Sequence, residues 1–106
     1  MKEGKIIMIN VTNKAVEKFN EAIKKVDNPE NKMLRVSFEG FGWGGPNFEL
    51  TLDELKGEND IIVEAEGIKV IYDLEFKDYL QDIVISYSDN WFNRGFTISG
   101  GNLSSC

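Results

Sequence analysis

Histidine is missing from all 106 residues, and cysteine occurs once, as Cys106. The first absence removes the commonest general base at neutral pH and the commonest neutral metal ligand. The second excludes an internal disulfide. Only two prolines occur, and no low-complexity tract, which argues against a disordered linker. The apolar run from Ile6 to Ile9 is too short for a signal-peptide core or a membrane span, so the chain is expected in the cytoplasm. Basic residues are in short supply as well. Twelve Lys and Arg against eighteen Asp and Glu leave a net charge of −6, which repels nucleic-acid phosphates and anionic membranes.

What is present fits one globular core. Hydrophobic residues make up 42% and charged residues 28%, with seven Phe, three Tyr and two Trp as bulky filling. Residues 1–106 read as a single domain. Residues 1–5 read as disorder or a cloning remnant, and 99–106 as a flexible tail with nothing to pack. A local acid excess at Asp53, Glu54, Glu58 and Asp60 reads as a solvated loop face.

The β-branched stretch from Lys5 to Val11 predicts a short strand. Thr12 then suits an N-cap, and Ala15, Val16, Phe19, Ala22, Ile23 and Val26 recur at helical spacing until Asp27-Asn28-Pro29 ends the helix. Leu34, Val36 and Phe38 alternate with polar residues, as do Phe48, Leu50 and Leu52, which is the period of half-buried strands. Strands at 61–64 and 68–72 flank a hairpin turn at Glu66-Gly67. A short helix is predicted over 74–80 and a strand over 83–87. The turn-rich Ser88-Asp89-Asn90 follows, and a last strand over 91–98. The class is a compact α+β domain of mostly antiparallel strands.

Between the strands over 34–38 and 48–52 lies Gly40-Phe41-Gly42-Trp43-Gly44-Gly45-Pro46. So dense a glycine cluster marks a tight turn or a close backbone approach. It satisfies G-x-G-x-x-G, but the dinucleotide fingerprint needs a helix directly behind the glycines, and here a strand pattern continues. Asp53 to Glu64 mimics a calcium loop at its ends only, with Leu55 at the third position and Gly57 ahead of the sixth. Asp73, Glu75 and Asp78 lack a neighbouring nucleophile and read as surface. Trp43 has two readings: an aromatic folded back over the core, or a replacement at a ligand position. Trp91, with Arg94, reads as packing beside a surface charge, or as an interaction anchor. Cys106 reads as an accessible thiol.

In this order, the elements resemble the HesB-like, or A-type, iron-sulfur carrier family over nearly the whole chain. The likeness rests on Thr12-Asn13-Lys14-Ala15, Leu34-Arg35-Val36, Glu66-Gly67-Ile68-Lys69-Val70, Asp73, Tyr79-Leu80 and Gly95-Phe96-Thr97-Ile98. The resemblance implies an iron-sulfur assembly or cluster-carrier protein rather than an enzyme. Its partners would be assembly or recipient proteins and a second copy of itself.

The family's ligands are a cysteine in the glycine loop and a Cys-Gly-Cys near the C-terminus, which bind iron or a small iron-sulfur cluster. Trp43 stands at the loop position, shaped by Gly42, Gly44 and Gly45, and Cys106 falls close to the first of the terminal pair. An indole nitrogen has no free lone pair, so the ligand set is degenerate and the chain as written is expected to hold no cluster. A subgroup of the family carries selenocysteine in this loop. Selenocysteine is encoded by UGA and tryptophan by UGG, so Trp43 is also read as a recoded selenocysteine. Two alternatives stand beside the carrier: an interaction module using Trp43 and Trp91, and a thiol or selenol redox protein.

Overall fold

Among the described residues, aliphatic side chains at alternating positions build seven strands, which close around one core in two sheets. The computed structural model describes residues 7–42, 45–54, 57–89 and 94–101, with Arg94 by its backbone alone. The elements run β1 (Ile9–Val11), α1 (Asn13–Ile23), β2 (Met33–Gly42), β3 (Gly45–Asp53), β4 (Asp60–Ala65) and β5 (Ile68–Asp73). After a single 3-10 turn at Leu74–Phe76 come α2 (Lys77–Leu80), β6 (Ile83–Asp89) and β7 (Arg94–Gly100). One sheet has the order β1-β6-β7, the other β3-β2-β5-β4. Strand β7 lies beside β3 and β1 beside β4, so the edges of the two sheets meet. Three of the five pairings are antiparallel, and β1 with β6 and β2 with β5 are parallel.

The alternation read from the sequence sorts the faces. Leu34, Val36, Ile68, Val70 and Tyr72 of one sheet meet Ile9, Val11, Ile83 and Ile85 of the other, with Leu80 of α2 between them. Each fully buried aliphatic side chain stabilises the fold by about 1.5–3 kcal/mol. Helix α1 adds Ala15 and Phe19 to this core. It starts where the sequence places it, with Thr12 Oγ1 accepting from the Ala15 backbone N–H at 3.2 Å. It ends at Lys24, before the expected Val26, and a 3-10 turn over Pro29–Asn31 leads into β2. At the other end of the chain, β7 runs on through Ser99 and Gly100, two residues into the stretch read as tail.

The acidic segment is not a uniformly solvated face. Arg35, on the side of β2 away from the core residues Leu34 and Val36, donates from Nε to Asp53 Oδ2 at 3.0 Å. Its Nη1 and Nη2 donate to the two Asp60 oxygens at 3.1 and 2.8 Å, and Nη2 reaches the Glu54 carbonyl at 3.3 Å. The Asp60 side chain is only 8% exposed. These hydrogen bonds, those to Asp60 foremost, raise the Arg35 pKa above its ordinary value. One guanidinium thereby ties β2 to the end of β3 and the start of β4.

Glu66 and Gly67 form the tight turn between β4 and β5 with φ of 52° and 84°. Positive φ at both central positions favours Asn-Gly, so Glu66→Asn is expected to stabilise the fold by about 0.5–1 kcal/mol in chemical denaturation. Arg35→Met leaves the Asp60 carboxylate short of its main partner. It should lower stability by about 2–4 kcal/mol, less than this when combined with Asp60→Leu. Tyr72 is buried, and desolvation raises its phenol pKa above 10.0. The folded state therefore holds that proton more tightly than the unfolded chain. The stabilisation is complete below pH 10 and is lost as pH rises through the folded pKa. Tyr72→Phe should flatten the alkaline limb of a stability-against-pH curve.

Candidate functional site

The glycine hairpin is the tip of β2 and β3, the longest pairing among the described residues. Their register runs from Met33↔Asp53 to Gly42↔Gly45, and positions 43 and 44 fall between that last pair in the sequence. Gly40 and Gly45 adopt φ of +110° and +127°, which residues with a Cβ adopt only with strain. At Gly42 a Cβ would lie 2.6 Å from Asn47 Nδ2, the far end of a side chain that can turn aside, so space is a weak constraint there.

Below the tip sits a cluster of four phenylalanines. The register shifts between Phe38 and Gly40, leaving Glu39 as an extra residue in β2. Strict alternation would send Phe41 to the face opposite Phe38. The bulge returns it to the same side, and the two rings meet edge to face at 5.1 Å. Phe38 also meets Phe48 at 5.6 Å and stacks on Phe76 at 4.6 Å, and Phe48 meets Phe76 at 5.8 Å. The cluster closes the core at the hairpin end, while Phe41 stays 70% exposed.

The last described residues return to this end. Gly100 pairs with Ile83, and Gly101 follows at φ +60°. A Cβ on Gly101 would lie 2.6 Å from the Gln81 carbonyl, 2.8 Å from Ile83 Cγ2 and 3.2 Å from the Tyr79 carbonyl. Backbone on one side and a core side chain on the other leave no room for any other residue. The chain is thus held against α2 where β7 ends. Since Phe76 immediately precedes α2 and stacks on Phe38, the exit of β7 and the base of the hairpin share one end of the molecule.

Of the residues singled out from the sequence, Gly42 and Gly45 form the closing pair of the hairpin. Trp43, Gly44, Trp91, Cys106 and the Arg94 side chain lie outside the described residues, as does Asn90 of the turn after β6. Asp73, read as surface, caps the 3-10 turn by accepting from the Glu75 N–H at 2.8 Å. Sequence reading missed Asn47, Phe41 and Gly101. The spacing of Phe38, Phe41 and Phe48 around the glycines was the available signal for the aromatic cluster. Gly101 gave none, since its partners at 79–83 are distant in the chain.

As written, the chain lacks the set of thiolates that an iron-sulfur cluster requires. Histidine is absent and cysteine single. Among the described residues, no group of three or more Cys, Asp or Glu could hold an ion. No helix among them is long and apolar enough to cross a membrane.

Comparison with known proteins gives this geometry its context. The chain is 33% identical over 94 residues to the iron-sulfur cluster insertion protein ErpA of Marinobacter nauticus, covering 89% of this chain and 84% of the relative. A SufA protein of Bacillus subtilis is 30% identical over 99 residues, covering 92% and 82%. The fold is that of Escherichia coli SufA, involved in biosynthesis of iron-sulfur clusters, with a TM-score of 0.71 at 18% identity over 92% of this chain and 87% of that one. It is equally that of IscA solved with a 2Fe-2S cluster, with a TM-score of 0.71 at 17% identity over 88% and 85%. Residues 7–106 match the family described as iron-sulphur cluster biosynthesis, and the chain belongs to that family.

Proposed function

We infer that this protein carries iron or an iron-sulfur cluster as cargo for delivery to recipient proteins, and is not itself an enzyme. The observation that carries the reading is the family match from residue 7 to residue 106, which includes both the glycine hairpin and the tail. The relatives bear names of cluster insertion and biosynthesis, and they lend no support to the interaction-module or redox alternatives. Position 43 is the hairpin ligand position and Cys106 a second ligand. Gly42, Gly44 and Gly45 set the hairpin, while Trp91 and Arg94 belong to the surface that meets a partner. A cytoplasmic location and a homodimer complete the proposal.

Thiolates and selenolates are soft donors suited to iron-sulfur clusters, and indole is not one. The native residue at position 43 is therefore proposed to be selenocysteine, or cysteine in function. The glycines support this, because a tight turn of this composition leaves room for a small reactive side chain.

Two measurements test the reading. The genomic codon for residue 43 should be UGA, and UGG would end the selenocysteine proposal. Anaerobic reconstitution with iron and sulfide should give visible cluster absorption in Trp43→Cys and none in the chain as written, with most of it lost in Trp43→Cys/Cys106→Ser. No absorption in Trp43→Cys would overturn the carrier assignment.

A further inference from the structure

A groove of about 600 Å³ lies between helix α1 and the strands β3, β6 and β7. Ala22, Val26, Leu52, Tyr87 and Phe96 give it an apolar lining, and Lys18, Glu21 and Lys25 give it charge. We propose that this groove binds a small amphipathic carboxylic acid, with the carboxylate at Lys25 and the apolar body laid over Val26, Leu52 and Phe96.

The lining is not used up by the core. Ala22 and Val26 continue the helical spacing of Phe19 and Ile23, yet neither is among the residues that form the core or pack against it. Helix α1 stops at Ile23, so Val26 sits past its last turn, half-buried and facing the groove. On the opposite wall Tyr87 and Phe96 are cross-strand partners, their rings edge to face at 5.2 Å, and both are only partly buried. Beside Phe96 the wall has a gap: a Cβ on Gly95, at φ +134°, would meet nothing within 4 Å. An apolar ligand body laid here removes this lining from water, which is the main driving force for such binding.

Charge selects the head group. Lys18 is already engaged, with Nζ 3.5 Å from Glu21 Oε1 and 5.4 Å from the Tyr87 ring centroid. Lys25 is exposed and has no ion-pair partner among the described residues. The lining therefore carries one uncompensated positive charge, in a chain whose net charge is −6. A carboxylate matches that single charge, whereas a phosphate monoester brings about −1.5 to −2. Volume selects the body, because about 600 Å³ suits one small molecule and a mostly apolar lining with few polar groups is usual for such sites. The groove shares no residue with the glycine hairpin and its use requires no metal, so it stands apart from the carrier reading.

The test is titration of the full chain with hexanoate, octanoate and decanoate, followed by amide correlation spectra. Amides at 18–26, 52, 87, 95 and 96 should shift, and affinity should tighten about 2- to 4-fold for each added methylene. Decyltrimethylammonium, with the same tail and the opposite charge, should bind at least ~5-fold more weakly than decanoate. Lys25→Gln, at an exposed position, should weaken octanoate about 3- to 5-fold. Ala22→Phe should abolish binding by filling the groove, and its thermal midpoint reports whether the fold is intact. No shifts with millimolar decanoate, shifts centred on Phe38, Phe41 and Phe76, or affinities indifferent to chain length or to Lys25→Gln would each overturn the proposal. Absence of binding together with loss of self-association in Val26→Asp would assign the groove to a second copy of this chain, and would overturn it as well.

Discussion

Strand β2 holds the molecule together because it is paired on both sides at once, antiparallel to β3 and parallel to β5. Its inward residues Leu34 and Val36 lie in the core, and between them Arg35 fastens the neighbouring strands from the other side. Farther along, the same strand supplies Phe38 and Phe41 and then ends in the glycine hairpin. Core, charged clamp, aromatic cluster and hairpin are successive segments of one backbone. A shift of one residue in this strand would exchange its two faces, sending Leu34 and Val36 to solvent and Arg35 into the core. The register is therefore fixed by several independent interactions.

Much of this could be read locally. Alternation gave β2, β3 and the inward residues, Thr12 gave the start of α1, and Glu66-Gly67 gave the β4–β5 turn, because each depends on residues within a few positions. The parallel pairings of β1 with β6 and of β2 with β5 could not be read in this way. Their partners lie 36 or more residues apart, as in Leu34↔Val70, and strand periodicity is indifferent to the direction of the neighbour. The same distance hid the Arg35 clamp, since Asp60 is 25 residues away and its burial depends on three strands meeting. Gly101 was hidden for a related reason: what forbids a side chain there is the backbone of residues brought close only by β6–β7 pairing.

The site divides along the same line. Glycine composition identified the hairpin, but neither the bulge at Glu39 nor the position of Phe41 follows from composition. One extra residue turns an aromatic toward the cluster, so that the hairpin stands on a bed of four rings instead of on open strand. Family membership supplies the chemistry that such a hairpin serves, and the fold supplies the support it needs.

The meeting of the sheet edges bears on how this protein can associate. An unpaired strand edge is a template for another chain to add to by backbone hydrogen bonding. Here β7 lies beside β3, and β1, only three residues long, lies beside β4. These neighbours lie close without hydrogen-bonding as one sheet, so each edge is shielded by proximity and not by pairing. A client that docks on these faces would be held by side chains instead of by an added strand. Such contacts can be released without breaking a sheet, as handing over cargo requires.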